Sequence, residues 1–193
     1  MKFSVLCWFS AGHLIAGVMQ LYKTGVQVIR KVEISDADSL LALMYKLDEE
    51  TKFMMFEPGE RNTTVEEQAK IINSFIVSKS KAMYVAEIEG KIVGYTVGIG
   101  NTANRNKHSM YCVIGIQQSQ SGKGIGSQLL RYLECWAREH GFSRMELTVM
   151  EHNVRAKCLY LSQGFEVEGI KRNSLIIDGN SVNEYYMSKL LAA

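Results

Sequence analysis

Between residues 109 and 150 the chain reads strand, glycine turn, helix, strand, and this order limits its folds more than any other feature. S109-MYCVIGI116 is an apolar run of strand character, and Q120-SGKGIG126 carries three glycines. S127-QLLRYLECWAREH140 has helical spacing, and R144-MELTVM150 is strand-like again. Two neighbouring strands joined through a helix of that length must lie parallel, because antiparallel neighbours need only a tight turn. Glycines at the hand-over cost backbone entropy and bring no side chain to pack, so the turn predicts a need for bare backbone.

The flanking segments predict antiparallel pairs. V26-QVIRKV32 alternates as a half-buried first strand, and S35-DADS offers a Ser/Asp cap to a helix over LLALMYKLDEE. F53-MMFEPGERN62, with Pro58 and Gly59, reads as a loop, and T64-VEEQAKIINSFIVSKS80 as a second helix with an acidic first turn. A82-MYVAEIEGKIVGYTVGIGN101 reads as a hairpin turning at E89-G90-K91, which with the strand at 109–116 makes a meander. N153-VRAKCLYLSQ163 is helical and stopped by Gly164; F165-EVEGIKR172 and S181-VNEYYMSKLL191 flank a hairpin tip at D178-G179-N180. Together these make an α/β (α+β) protein with a mixed, mostly antiparallel, seven-stranded sheet.

At 193 residues the chain is one domain by length, with 47% hydrophobic and 22% charged residues, as in an ordinary globular protein. A net charge of +2, from 22 basic and 20 acidic residues scattered along the chain, argues against nucleic acid as a partner. Cys7, Cys112, Cys135 and Cys158 lie far apart with no C-x-x-C pair, which fits neither a zinc site nor a secreted disulfide framework and points to the cytoplasm. No histidine spacing suggests a metal. Met1-Lys2 followed by FSVLCWFSAGHLIAGVM resembles the start of a secretory signal, but no small-x-small cleavage site follows it and it is too short and interrupted for a membrane span. Residues 1–25 are read as an N-terminal extension, and residues 26–193 as the single domain.

A strand ending in a glycine turn that opens a helix presents unpaired amides at the positive end of a helix dipole, an arrangement suited to phosphate. Gly122, Gly124 and Gly126 would let a pyrophosphate approach the backbone, with Lys123 and Ser127 adding a charge and a hydroxyl. The spacing is neither a Walker loop nor a full dinucleotide fingerprint. Further on, N153-V-R-A-K-C-L-Y160-L-S-Q-G164-F165 places Asn153 at a helix start and Tyr160 two turns along on much the same side.

Taken together, the glycine loop and the N-x-x-A-x-x-L-Y-x-x-x-G-F helix resemble the GNAT superfamily of N-acetyltransferases, and the element order from Val26 to Leu191 agrees. The tail from Gly164 to Leu191 is similar to bacterial acetyltransferases acting on amino acids and other small amines. The resemblance implies a sheet splayed between its fourth and fifth strands, with helices on both faces and acetyl-CoA as co-substrate. It implies that Ile114, Gly115 and Ile116 pair with the pantetheine arm, and that amides from Ser121 through Gly122, Lys123, Gly124, Ile125 and Gly126 to Ser127 hold the pyrophosphate. Asn153 would touch the cofactor arm, and Tyr160 would be the general acid for the departing thiolate. The implied reaction is direct attack by a primary amine in a ternary complex, with no membrane partner and with a homodimer left open. Acetylation of protein N-termini, or a non-catalytic CoA-binding sensor, are the alternatives.

Two positions depart from the pattern. Ser121 stands where Arg or Gln is usual, with Gln118 and Gln120 nearby; Thr148 stands where ribosomal-protein acetyltransferases carry a glutamate base. Glu146, two residues earlier on the same face of that strand, reads as a solvent-facing carboxylate in preference to a proton relay through water, and Glu57 and Glu60 either face an incoming amine or only solubilise their loop. Tyr185 and Tyr186 must face opposite ways, one into the core. Trp136, Leu129, Leu130 and Leu133 read as core, and Cys158 as a buried helix residue.

Overall fold

The computed structural model describes residues 27–191, so the signal-like segment 1–25 lies outside the described residues. In chain order the elements are β1 (Gln27–Lys31), α1 (Ala37–Glu50), α2 (Val65–Ile76), β2 (Lys81–Ile88), β3 (Lys91–Gly100) and β4 (Ser109–Ile116). There follow α3 (Ile125–Glu139), β5 (Arg144–Met150), α4 (Val154–Ser162), β6 (Glu166–Ile177) and β7 (Asn180–Leu190). The strands form one seven-stranded sheet in the order β1-β2-β3-β4-β5-β7-β6, and only β4 and β5 pair in parallel.

Alternation along the strands divides the core in two. Met83 and Val85 of β2 face Leu40, Leu43 and Leu47 of α1 and Ile72 of α2. Ala82, Tyr84 and Ala86 face the other way, onto Leu129, Leu133 and Trp136 of α3. Helices thus cover both faces, as the resemblance implies. The apolar positions of α3 recur every three or four residues, and Leu129 and Leu133 are fully buried. Truncating either to alanine would cost about 2–5 kcal/mol. Gly141, at φ 78°, ends α3, with the Phe142 amide donating to Ala137 O at 2.9 Å.

Three local expectations change. The α1 start has no side-chain cap: the Asp36 carboxylate is taken by Arg30, at 2.7 and 2.8 Å, and by the Glu33 amide. The second helix ends at Ile76 rather than Ser80, because Ser78 Oγ accepts from the Ser80 amide and turns the chain toward β2. β6 runs past Arg172 to Ile177, through two register shifts, and makes the Asp178-Gly179 turn tight.

The sheet's main irregularity lies at its centre. β4 and β5 pair only over Ser109–Tyr111 and Arg144–Glu146. β4 continues on β3 to Ile116 and β5 continues on β7 to Met150, so beyond Tyr111 the two strands part and one edge of β4 has no strand beside it.

Candidate active site

A cavity of about 910 Å³ occupies the gap between the parted strands. Its wall includes Tyr160 from one core and Leu47 and Tyr95 from the other, so it passes through the sheet. Ile114, Gly115 and Ile116 line it along the open edge of β4. Gly115 is glycine for packing: a Cβ would lie 2.7 Å from both Leu47 Cδ1 and Tyr95 Cε1.

At one end stands the glycine loop, where the three glycines divide their work. Gly122 and Gly124 have φ of 80° and 81°, and nothing lies within 4 Å of where a Cβ would stand. The turn needs them for backbone conformation. Gly126 lies inside α3, where a Cβ would meet Leu159 Cδ2 at 2.7 Å and Ile116 Cδ1 at 3.1 Å. It is there to let α3 approach α4 and β4. The first bond of α3 runs from the Gln128 amide to Gly124 O, so among the described residues the amides of Gly122, Lys123, Gly124, Ile125, Gly126 and Ser127 have no backbone acceptor. The Ser121 amide does not join them, because it closes a turn on Gln118 O at 3.1 Å. Lys123 Nζ donates to Gln120 Oε1 at 2.8 Å, and the Gln118 amide donates to Glu50 Oε2 at 2.8 Å, tying the loop to α1.

The second motif fixes α4 at both ends. Asn153 Oδ1 accepts from the Ala156 amide at 3.1 Å, which caps the first turn and leaves the Asn153 side-chain NH2 as its spare donor. Gly164, at φ 84°, ends the helix, and the Phe165 amide donates to Tyr160 O at 3.0 Å. The Phe165 ring then packs on the Tyr160 ring, centroids 5.8 Å apart. Gly164 and Phe165 thus hold Tyr160 in place. Tyr160 is 7% exposed, and burial pushes its phenol well above the usual tyrosine range, with Cys112 and Tyr111 adding to the effect. The hydroxyl is protonated at any ordinary pH, and among the described residues it has no hydrogen-bond partner. Cys158 is exposed rather than buried, since α4 turns Ala156, Leu159 and Tyr160 inward.

The opposite end is closed by the segment between α1 and α2, which brings Phe53, Met54, Met55 and Phe56 to the cavity. Arg61 anchors it, binding the buried Asp48 with Nε at 2.6 Å and stacking over Phe56. Phe53 meets the His152 ring, and Lys52 pairs with Asp178 at the β6–β7 tip. Glu57 and Glu60 do not line the cavity; Glu60 accepts from the Glu57 amide. Glu146 is also outside the lining, bound by Arg144 Nε at 2.9 Å. Tyr185 packs toward the α3 core under Lys157, and Tyr186 is 48% exposed on the other face.

The wall residues that the motifs did not single out include Tyr111 on β4, Arg155 in the first turn of α4 and Glu184 on β7. The signal for Glu184 was a carboxylate two residues from Tyr186 on one strand face. Its significance depends on partners in other strands.

A splayed parallel pair, a glycine turn with free amides and a helix-borne buried tyrosine define a class of acyl-group-handling fold. The chain belongs to the acetyltransferase (GNAT) family, whose model matches residues 41–165. It is 30% identical over 110 residues to the L-amino acid N-acetyltransferase AaaT of Escherichia coli (strain K12), covering 55% of this chain and 66% of that protein. The chain spans 66% or less of the length of the curated relatives it matches. Among solved structures, a GNAT acetyltransferase of Streptococcus pneumoniae superposes with a TM-score of 0.83 at 29% identity, over 86% of this chain and 99% of that one. YncA of Salmonella typhimurium, solved with its cofactor acetyl-CoA, superposes with a TM-score of 0.77 at 18% identity, over 86% of this chain and 94% of that one.

Proposed function

We propose that the chain is an N-acetyltransferase that moves an acetyl group from acetyl-CoA to the primary amine of an amino acid or other small amine. The observation that carries this reading is the convergence on one cavity of three unlike groups: the open edge of β4, the free amides of Gly122 to Ser127, and the Tyr160 hydroxyl. Such a cradle suits a long ligand with a diphosphate at one end and an amide-bearing arm at the other. Bound acetyl-CoA supplies an acyl thioester. The loop amides and the N-terminal dipole of α3 hold the diphosphate. The backbone of Ile114, Gly115 and Ile116 bonds to the amides of the arm, as an added strand would, and one of these N–H groups polarises the thioester carbonyl. Asn153 offers its spare side-chain NH2 to the arm.

Tyr160 gives its proton to the departing sulfur. Burial holds the phenol above the ~8.5 of an ordinary thiol, so it stays protonated and need only donate to the sulfur as charge develops there in the transition state. No protein nucleophile is used. Cys112, on the cavity wall, is buried, and burial pushes its thiol up to about 12, so it is not a thiolate. The small-amine acceptor is supported by the likeness to a relative named for L-amino acids and by the apolar wall from Phe53 to Phe56. A cytoplasmic location fits the free thiols of Cys112 and Cys158, and no helix among the described residues is long and apolar enough to cross a membrane. The test is thiol release from acetyl-CoA over the common amino acids, polyamines, an aminoglycoside and N-terminal peptides. Release with amino acids or polyamines is expected; release with peptides alone would replace the acceptor, and none at all would overturn the reading.

A further inference from the structure

Three polar side chains on the cavity wall have no part in that scheme. Tyr111 on β4, Thr148 on β5 and Glu184 on β7 all line the cavity. Tyr111 Oη lies 3.0 Å from Thr148 Oγ1, which lies 2.7 Å from Glu184 Oε1. Glu184 is 6% exposed, and its other oxygen takes Lys171 Nζ at 3.2 Å.

What each group can donate fixes the direction of this chain. Burial pushes the Glu184 carboxyl up, but bonds from Thr148, Lys171 and Ser174 outweigh that and hold it below its ordinary value. It is therefore an ionised carboxylate, which can only accept. Thr148 must donate to it. Having spent its one hydrogen there, the Thr148 oxygen must accept from Tyr111. Tyr111 in turn has given up its hydrogen, and its oxygen is left with lone pairs alone for anything that enters the cavity.

We propose that Tyr111 Oη accepts an N–H of the acceptor amine and so aims the nitrogen lone pair at the thioester carbon, while Thr148 and Glu184 are positioning residues that fix the direction of the Tyr111 hydroxyl. This inference rests on the acetyl-transfer reading. The C–N bond forms from the nitrogen lone pair as the C–S bond breaks, and the sulfur keeps that electron pair and takes the Tyr160 proton. The surplus amine proton passes to Tyr111, the Tyr111 proton to Thr148 and the Thr148 proton to Glu184. Exchange with water then returns Glu184 and Tyr160 to their resting forms. Thr148 thus links the amine to a carboxylate one strand further on.

Glu184→Gln is the discriminating variant. Lys171 can only donate, so it claims the new amide oxygen and leaves the amide NH2 facing Thr148. The chain then runs backward, and Tyr111 points its hydrogen at the amine. The readouts are the KM of the amine and its calorimetric affinity in the presence of coenzyme A, which allows binding without turnover. The probe is whichever of the common amino acids or spermidine the wild type acetylates fastest. Tyr111→Phe should raise the KM and weaken the calorimetric affinity about five- to tenfold, the effect of one neutral hydrogen bond, with the acetyl-CoA KM unmoved. Glu184→Gln should do more damage, and adding Tyr111→Phe to it should recover the level of Tyr111→Phe alone. Thr148→Ser should restore much of what Thr148→Val loses. An unchanged amine KM and affinity in Tyr111→Phe, or losses that add in the double variant, would overturn the inference and leave the acetyl-transfer reading standing. A wild type that acetylates none of these probes would overturn that reading and this inference with it. Should Glu184→Gln fail to fold, Tyr111→Phe and the Thr148 pair decide the matter.

Discussion

Tyr160, the proposed general acid, illustrates how little of a residue's placement lies in its own side chain. Its hydroxyl faces the cavity because Gly164 turns the backbone, the Phe165 amide holds Tyr160 O and the Phe165 ring braces the phenol. Tyr160→Phe leaves that packing intact and removes only the proton, so kcat should fall by about two orders of magnitude with melting temperature and acetyl-CoA affinity near wild type, as read by thiol release and thermal unfolding. A variant as fast as wild type would remove the general acid. The glycines of the loop divide just as sharply. Gly124 sits at φ 81° in open space, so Asn, which tolerates that conformation, should cost less than about 1 kcal/mol there. Asn at Gly126 must displace Leu159 and Ile116, and should cost about 1–3 kcal/mol. Urea unfolding of Gly124→Asn and Gly126→Asn separates the two.

At the scale of elements, most of the fold was legible because apolar period and glycine stops sit in the local sequence. β4, the hairpin turns and both ends of α4 needed no distant partner. What was not legible depended on contacts between segments far apart. The order β5-β7-β6, which inserts the last strand between two earlier ones, is one such case, and the Thr148–Glu184 bond is another. The start of α1 is a third, since an Asp beside a helix predicts a cap until Arg30 of β1 competes for it. Arg30 wins with two charge-assisted bonds, where a cap would give one bond to a neutral amide. That outcome has a pH signature. Arg30 chiefly, with the Glu33 amide helping and burial opposing, holds the Asp36 carboxyl below its ordinary 3.8. A depressed carboxyl stabilises the fold fully above the unfolded pKa and loses that contribution as pH falls through the folded one. Asp36→Asn should therefore lower the urea midpoint at neutral pH and flatten its decline below about pH 4. An equal acid slope in both proteins would assign the acid sensitivity to other carboxylates.

For the whole molecule, the splay has an energetic consequence. Parting β4 from β5 gives up ladder bonds at the centre of the sheet, and beyond Tyr111 the cavity lies between its two parts, β1–β4 and β5–β7. The two parts are joined by the three residue pairs at the closed end of β4 and β5, by the α3 core, which draws residues from both, and by the tethers at Phe53 and Lys52. A ligand lying along β4 would restore bonds to the open edge and touch both halves at once. It would bind only the folded chain, because no single segment carries the whole cradle. Linkage then sets the size of the effect: a ligand at one hundred times its dissociation constant adds about 2.7 kcal/mol to folding stability. For a domain of this length that corresponds to a rise in melting temperature of roughly 5–10 °C. Acetyl-CoA and coenzyme A should both produce it, since the diphosphate and arm are common to the two, while acetate alone should not. Gly124→Val, which adds bulk and strain where the free amides converge, should lose most of the ligand-induced shift beyond any fall in its own melting temperature. A wild-type protein whose melting temperature ignores both ligands would mean that the parted strands hold something other than coenzyme A, and the acetyl-transfer reading would fall with it.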